Sequence, residues 1–188
     1  MKSIEYKGFD IEIEQDQDAI DPQEDCDNDV FIVFEHRSFT VKVEGFDAQM
    51  IYEDYYQKGK KLCKGHWLFP LEAYIHSGVH LMVRGSIEAA NCPDRRWDVS
   101  FGGFVLVKRQ KGWSWTQELA ATKCKGMVDD WNLYNSGEVY GYNIPDLNES
   151  CWGFYGDWEK NVLAEAKAII DNHLKSKKDA NHKDLQEV

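Results

Sequence analysis

The 188 residues are enough for one well-packed domain, and a hydrophobic content of 43% is too high for a disordered chain. The 22 basic and 33 acidic residues give a net charge of −11, which argues against direct binding to nucleic acid or to an anionic membrane. No apolar stretch reaches the length of a membrane span, and the polar start contains no secretory signal. We therefore expect a cytoplasmic protein with reduced cysteines.

The first third of the chain predicts strands and an acidic loop. Alternating apolar and polar residues predict a hairpin over residues 2–14 that turns at Lys7-Gly8. Residues 15–29 contain almost no apolar side chains and are predicted to form the loop. The apolar run from Val30 to Phe34 is typical of a buried strand.

The middle of the chain predicts mainly further strands. Residues 39–43 alternate again, and Asp47 begins a predicted helix that ends near Lys60. A second hairpin is predicted over residues 67–83, with its turn at residues 76–78. Residues 85–100 have no regular pattern and precede a predicted strand.

That strand covers residues 104–107, and residues 116–131 predict a helix that is weakened near Gly126. A third hairpin is predicted over residues 138–155. Asp157 is the expected N-cap of a last helix. This helix has one apolar stripe, formed by Val162, Leu163, Ala166, Ile169, Ile170 and Leu174.

These elements favour an α+β fold, with a mainly antiparallel sheet and helices packed on one face. We predict a single domain over residues 1–175 that carries the acidic N-terminal third. Residues 176–188 are polar and are expected to form a frayed tail.

Negative charge is concentrated near the start. Residues 1–54 contain 16 acids and 4 bases, whereas residues 55–188 contain 17 acids and 18 bases. The centre of this asymmetry is formed by Asp16, Asp18, Asp21, Glu24, Asp25, Asp27 and Asp29.

Three interpretations of these carboxylates remain open. They form a solvated loop, or a divalent-cation site that uses Asp25, Asp27 and Asp29, or a surface that imitates the phosphates of DNA. An EF-hand is disfavoured because Val30 replaces the glycine and His36 replaces the bidentate glutamate of that motif.

Two further sets of residues have the chemistry of an active or metal site. His76, Asp98 and Glu138 form an acid–base set if their strands adjoin, and this set suits hydrolysis or metal-assisted phosphodiester cleavage. Ser77 is better explained as a turn residue than as a nucleophile.

Cys63 and His66, with His76 and His80, are a weaker candidate for zinc, because paired ligands on defined elements are lacking. We predict no cofactor, with a divalent cation as a weak alternative. Cys92 and Cys151 are expected to be buried, inert thiols.

Several short motifs, in this order, resemble an uncharacterised family of proteins encoded by tailed bacteriophages and prophages. The matching residues are Asp21-Pro22, Asp27-Asn28, Tyr74 to Gly78, Cys92, Trp97-Asp98, Gly103 to Val105, Gly137 to Tyr142 and, most specifically, Ser150 to Gly156. The chain departs from the family at Ile75, where an aspartate is usual, and between Cys92 and Trp97. The resemblance implies a cytosolic protein of a virus–host setting and no particular activity.

The favoured hypothesis is a phage-type accessory protein that uses an acidic surface to bind, and inhibit, a basic nucleic-acid-handling or defence protein of the host. The alternatives are a hydrolase or metal-assisted phosphodiesterase centred on His76, Asp98 and Glu138, and a structural or assembly protein of a virion.

Overall fold

The computed structural model describes residues 1–25, 29–93, 95–109 and 116–184, and side chains up to residue 179, that of Asp25 excepted. The chain divides into two compact units. Residues 1–19 and 137–188 form the terminal unit, and residues 20–136 form the central unit. The single domain predicted over residues 1–175 includes parts of both units. Hydrophobic periodicity indicates whether a segment is a strand or a helix, but it does not indicate which distant strands pair. The pairing of the C-terminal strands with the first hairpin therefore cannot be predicted from the pattern.

In the described part of the chain, ten strands and six helices follow one another. The strands are β1 (Lys2–Tyr6), β2 (Phe9–Gln15), β3 (Val30–Glu35), β4 (Thr40–Val41), β5 (Leu62–Cys63), β6 (His66–Ile75), β7 (Val79–Val83), β8 (Val99–Lys108), β9 (Val139–Ile144) and β10 (Glu149–Tyr155). The helices are α1 (Pro22–Asp25), α2 (Ala48–Tyr52), α3 (Ile87–Asn91), α4 (Arg95–Asp98), α5 (Gln117–Asn135) and α6 (Val162–Asp184). A π-helix (Glu53–Gln57) continues α2, and a 3₁₀ turn (Pro145–Leu147) joins β9 to β10.

The terminal unit is an antiparallel sheet with strand order β1-β2-β9-β10, covered on one face by α6. Its first turn has positive φ at both central residues, 53° at Lys7 and 83° at Gly8, as a two-residue hairpin requires. The core combines apolar residues of β2 and β9 with the stripe predicted for the last helix. The buried residues of this core are Ile11, Ile13, Tyr142, Ile144, Val162, Ala166 and Ile170.

The two ends of α6 differ from the prediction. The Asp157 carboxylate accepts hydrogen bonds from the backbone N–H groups of Glu159 (3.0 Å) and Lys160 (3.3 Å). It therefore caps a separate turn, and α6 itself begins at Val162. At the other end α6 continues to Asp184, past the predicted start of a frayed tail.

The central unit is an antiparallel six-stranded sheet in which β4, β3, β8 and β6 are neighbours and β5 and β7 both pair with β6. Helix α5 covers one face, where Ile32, Leu81 and Val105 are fully buried. Helix α2 contacts the opposite face through Ile51. The α+β fold with antiparallel strands is confirmed, but the larger sheet has helices on both faces rather than on one.

Three helical predictions are refined by the structure. The Asp47 carboxylate caps α2 by accepting from the Met50 N–H at 2.7 Å, as predicted. Gly126 does not interrupt α5, because the packing of buried neighbours such as Val128 outweighs its low helix propensity. The irregular stretch over residues 85–100 contains the short helices α3 and α4.

Candidate functional site

The acidic residues selected from the sequence are divided between the two units. Asp16 and Asp18 belong to the terminal unit, and the others belong to residues 20–136. Asp27 lies outside the described residues. The Asp16 and Asp21 carboxylates accept local backbone hydrogen bonds, at 3.1 and 2.9 Å, so both stabilise turns.

Asp29 is the acidic-loop member with cationic neighbours. Its carboxylate oxygens lie 3.7 Å from the Lys108 ammonium and 3.9 Å from that of Lys123. These contacts offset its negative charge. The divalent-cation site predicted at Asp25, Asp27 and Asp29 lies partly outside the described residues, because Asp27 and the side chain of Asp25 are not described.

A different set of carboxylates shares one face of the terminal sheet. Along β2, Ile11 and Ile13 point into the core, so the alternate residues point outward. The outward carboxylates are those of Glu5 on β1 and of Asp10, Glu12 and Glu14 on β2. We call these four residues the outer acidic face.

None of the strand residues that share this outward side is a lysine or arginine. Its other members include Ser3 and, on β9 and β10, Asn143 and Ser150. The Asn143 amide donates to Glu12 at 2.8 Å, which leaves the charge of that carboxylate intact. The hairpin part of this side is therefore polar and negative, whereas the exposed Trp152 ring lies beside Gly141, which is paired with Glu14.

The two lysines of the first hairpin contact residues on the side of the sheet that α6 covers. Lys7 forms an ion pair with Asp171 of α6 at 2.6 Å, and Lys2 lies 3.9 Å from the ring centroid of Trp158. This arrangement keeps both cations out of the outer acidic face. The Asp171 contact also raises the pKa of Lys7 and lowers that of Asp171, through their hydrogen bond.

Charge follows the division into units. The terminal unit has 16 acids and 8 bases, whereas the central unit has 17 acids and 14 bases. The centre of negative charge predicted from the sequence lies in residues 16–29 and does not include the outer acidic face. The signal was present, because every polar position in the alternation of residues 9–14 is a carboxylate.

The predicted pair of His76 and Asp98 comes together in the central unit, with 3.2 Å between His76 Nδ1 and Asp98 Oδ2. Strands β6 and β8 are neighbours, and Tyr74 is paired with Val99. The residue after β6 and the residue before β8 therefore meet at the same end of the sheet. Glu138, the third predicted member, belongs to the terminal unit.

Two other histidine contacts occupy the same end of the sheet. His80 Nε2 lies 2.7 Å from Glu88 Oε1, and His36 Nε2 lies 3.3 Å from the Ser100 hydroxyl. His36 Nδ1 accepts from the backbone N–H of Ser38, so in the neutral ring Nε2 carries the proton. This tautomer donates to Ser100 and cannot activate it as a nucleophile.

The structure does not bring the four residues of the weak zinc alternative together. Cys63 and His66 face each other across the β5–β6 pair, whereas His76 follows the opposite end of β6. Ten strand residues at about 3.3 Å each separate the two ends. Within the described part of the chain, no group of three or more histidine, cysteine or acidic side chains has metal-binding geometry.

The four described cysteines are free thiols. Burial raises the pKa of Cys92, and it raises the pKa of Cys124 to about 12, which disfavours thiolate chemistry at both. The expectation that Cys151 is buried is wrong. It is exposed, because β10 forms one edge of the terminal sheet.

Searches with this chain give no match to a protein-family model, a curated protein or a solved structure. Among the described residues, none of the helices combines the length and the apolar character needed to span a membrane.

Proposed function

We propose that this protein acts by binding, and that the outer acidic face contacts a basic surface on a partner protein. The observation that carries the proposal is the presence of four carboxylates on one side of a two-strand hairpin, with no cation among the strand residues of that side. The opposite side of the same hairpin supplies the core. The carboxylates therefore lie outside the core, although Glu12 accepts a hydrogen bond from Asn143 of β9.

Charge and spacing support the proposed class of partner. Successive outward residues of a strand are about 6.6–6.8 Å apart, which is close to twice the rise of about 3.4 Å per nucleotide in a DNA strand. A groove lined by lysine and arginine for DNA accepts such a row of anions. The partner is a basic nucleic-acid-handling or defence protein of a bacterial host, and the chain is a cytoplasmic phage-type accessory protein that inhibits it.

The experiment is affinity purification of the tagged full chain from a bacterial host lysate, beside a variant with Glu5→Gln, Asp10→Asn, Glu12→Gln and Glu14→Gln. The matched control removes four exposed carboxylates of the same unit, by Asp146→Asn, Glu149→Gln, Glu159→Gln and Glu165→Gln. The proposal requires a nucleic-acid-handling protein that is captured by the wild type and the control but is lost with the face variant. Equal capture by all three chains rejects it.

A second candidate function rests on the contact of His76 with Asp98. A carboxylate at Nδ1 orients an imidazole and leaves Nε2 available as a base, which suits hydrolysis. The His76 side chain is 67% exposed, so the dyad is open to solvent. Hydrolysis of bis-p-nitrophenyl phosphate that is abolished by His76→Ala would support this function, and equal rates for both chains would reject it.

A further inference from the structure

A cavity of about 450 Å³ opens in the central unit between α2, the π-helix and the β5–β6 hairpin. Its apolar wall is formed by Phe46, Met50, Ile51 and Leu62. The Met50 and Leu62 side chains are 69% and 37% exposed, although both are large and apolar. Its volume falls within the range of about 300–1,000 Å³ that is typical of small-molecule sites.

The rim of this cavity is the most basic stretch of an otherwise acidic chain. Residues 58–64 contain four lysines and no acid. Two of them, Lys60 and Lys64, line the cavity together with the carboxylates of Asp47 and Asp54, so the positive excess of the rim comes from the four lysines of residues 58–64 against these two acids. A positive rim beside an apolar wall selects for a ligand with the opposite charge and an apolar body.

These lysines are not fully neutralised by nearby carboxylates. Asp54 receives two ammonium groups, from Lys58 at 2.7 Å and from Lys60 at 2.8 Å, so one positive charge is in excess. The Lys64 ammonium donates to the Gly45 carbonyl and lies 5.3 Å from the Phe46 ring centroid. In the part of the chain that the structure describes, no carboxylate forms an ion pair with Lys64.

The backbone beside the cavity has an unusual form. The π-helix from Glu53 to Gln57 contributes Asp54 to the cavity wall. Turns of this kind are rare and occur frequently at functional sites, where the wider turn redirects side chains. Here Tyr55, the residue after Asp54, packs against Phe104 at 5.4 Å between ring centroids, so this residue anchors the wall to the sheet.

We propose that this cavity binds a small amphipathic anion, with its carboxylate, sulfonate or phosphate head between Lys60 and Lys64 and its apolar body against Met50 and Leu62. The site is independent of the outer acidic face, because all of its residues belong to the central unit. The chain therefore has a ligand site of the opposite electrostatic character from its protein-binding face.

The test is isothermal titration calorimetry of the full chain with three submicellar probes of equal chain length: decanoate, decanol and decyltrimethylammonium. Decanoate is expected to bind at least about tenfold more tightly than decanol, and the cationic probe should bind least. Equal affinity for the anionic and cationic probes overturns the proposal. Saturable binding of an acidic peptide together with no binding of decanoate also overturns it.

Variants separate the head-group and body contacts. Lys60→Gln with Lys64→Gln should weaken decanoate binding by about tenfold and leave decanol unchanged, because a charged hydrogen bond is lost only for the anion. Met50→Asp should weaken the binding of both decanoate and decanol. The controls are Lys42→Gln with Lys175→Gln, and Ile87→Asp, at exposed positions outside the cavity. Circular dichroism establishes that each variant is folded, and equal losses in rim variants and controls contradict the site.

Discussion

Glu5 and Asp10 lie directly opposite each other on the outward side of the first hairpin. The hairpin closes at Tyr6 and Phe9 around a two-residue turn, so this pair occupies a non-hydrogen-bonded position, where Cβ atoms are about 4.5–5.5 Å apart. Like charges at that distance destabilise a sheet. The repulsion is part of the cost of presenting an acidic face.

Asp10→Asn should therefore raise the free energy of unfolding by about 0.2–1 kcal/mol at low salt, because it removes one member of the repelling pair. Urea unfolding measures the change. The gain should shrink as sodium chloride is raised toward 1 M, where screening already weakens the repulsion. Glu159→Gln, which removes an exposed carboxylate elsewhere in the unit, is the control, and an equal gain there would contradict the explanation.

Glu72 is fully buried in the central unit and depends on two arginines. Its Oε1 accepts from Arg95 Nη2 at 2.7 Å and lies 3.5 Å from Arg84 Nε. Arg95→Met should lower the free energy of unfolding, because it leaves the Glu72 carboxylate buried with Arg84 as its remaining cationic neighbour. The loss should be smaller than for a fully buried ion pair, because Arg84 remains and Arg95 is 40% exposed.

The double change Glu72→Met with Arg95→Met separates two contributions to the loss of stability, the unpaired buried charge and the altered side-chain packing. It removes the buried carboxylate together with its partner, so we expect most of the lost stability to return. Urea unfolding of both variants gives the comparison. If the double variant is as unstable as the single one, the ion pair is not the reason for the loss.

Asp130 of α5 gives a pH dependence of known sign. Its partial burial, and then the neighbouring charge of Asp129, raise its pKa above the ordinary value of 3.8. The folded state therefore binds the proton more readily than the unfolded state, and the ionised group destabilises the fold at neutral pH. Asp130→Asn should raise the melting temperature at pH 7, and the gain should disappear below about pH 3.8. A gain that persists at pH 3 would contradict this assignment.

The sequence predicts local structure well where one face of an element is buried. The first hairpin and the stripe of α6 are confirmed because their apolar periods report burial directly. The pairing of β2 with β9 is invisible to the same reasoning. It joins Glu12 to Asn143, and nothing in either segment specifies the other.

The candidate sites follow the same rule. The contact of His76 with Asp98 depends on the pairing of β6 with β8, so the sequence could name the residues only on the condition that their strands adjoin. The cavity beside α2 has no motif at all, because its wall combines a turn, a π-helix and a hairpin. The four lysines of residues 58–64 are visible in the sequence, but they were not predicted to form a site.

Binding of a basic partner by the outer acidic face is tested by the affinity of the captured partner for the wild-type chain, the four-carboxylate face variant and the matched four-carboxylate control, at 50 and 200 mM salt. We expect the face variant to bind at least about tenfold more weakly and with a shallower salt dependence, whereas the control should bind like the wild type. Equal affinities and equal salt slopes for the face variant and the control would contradict it.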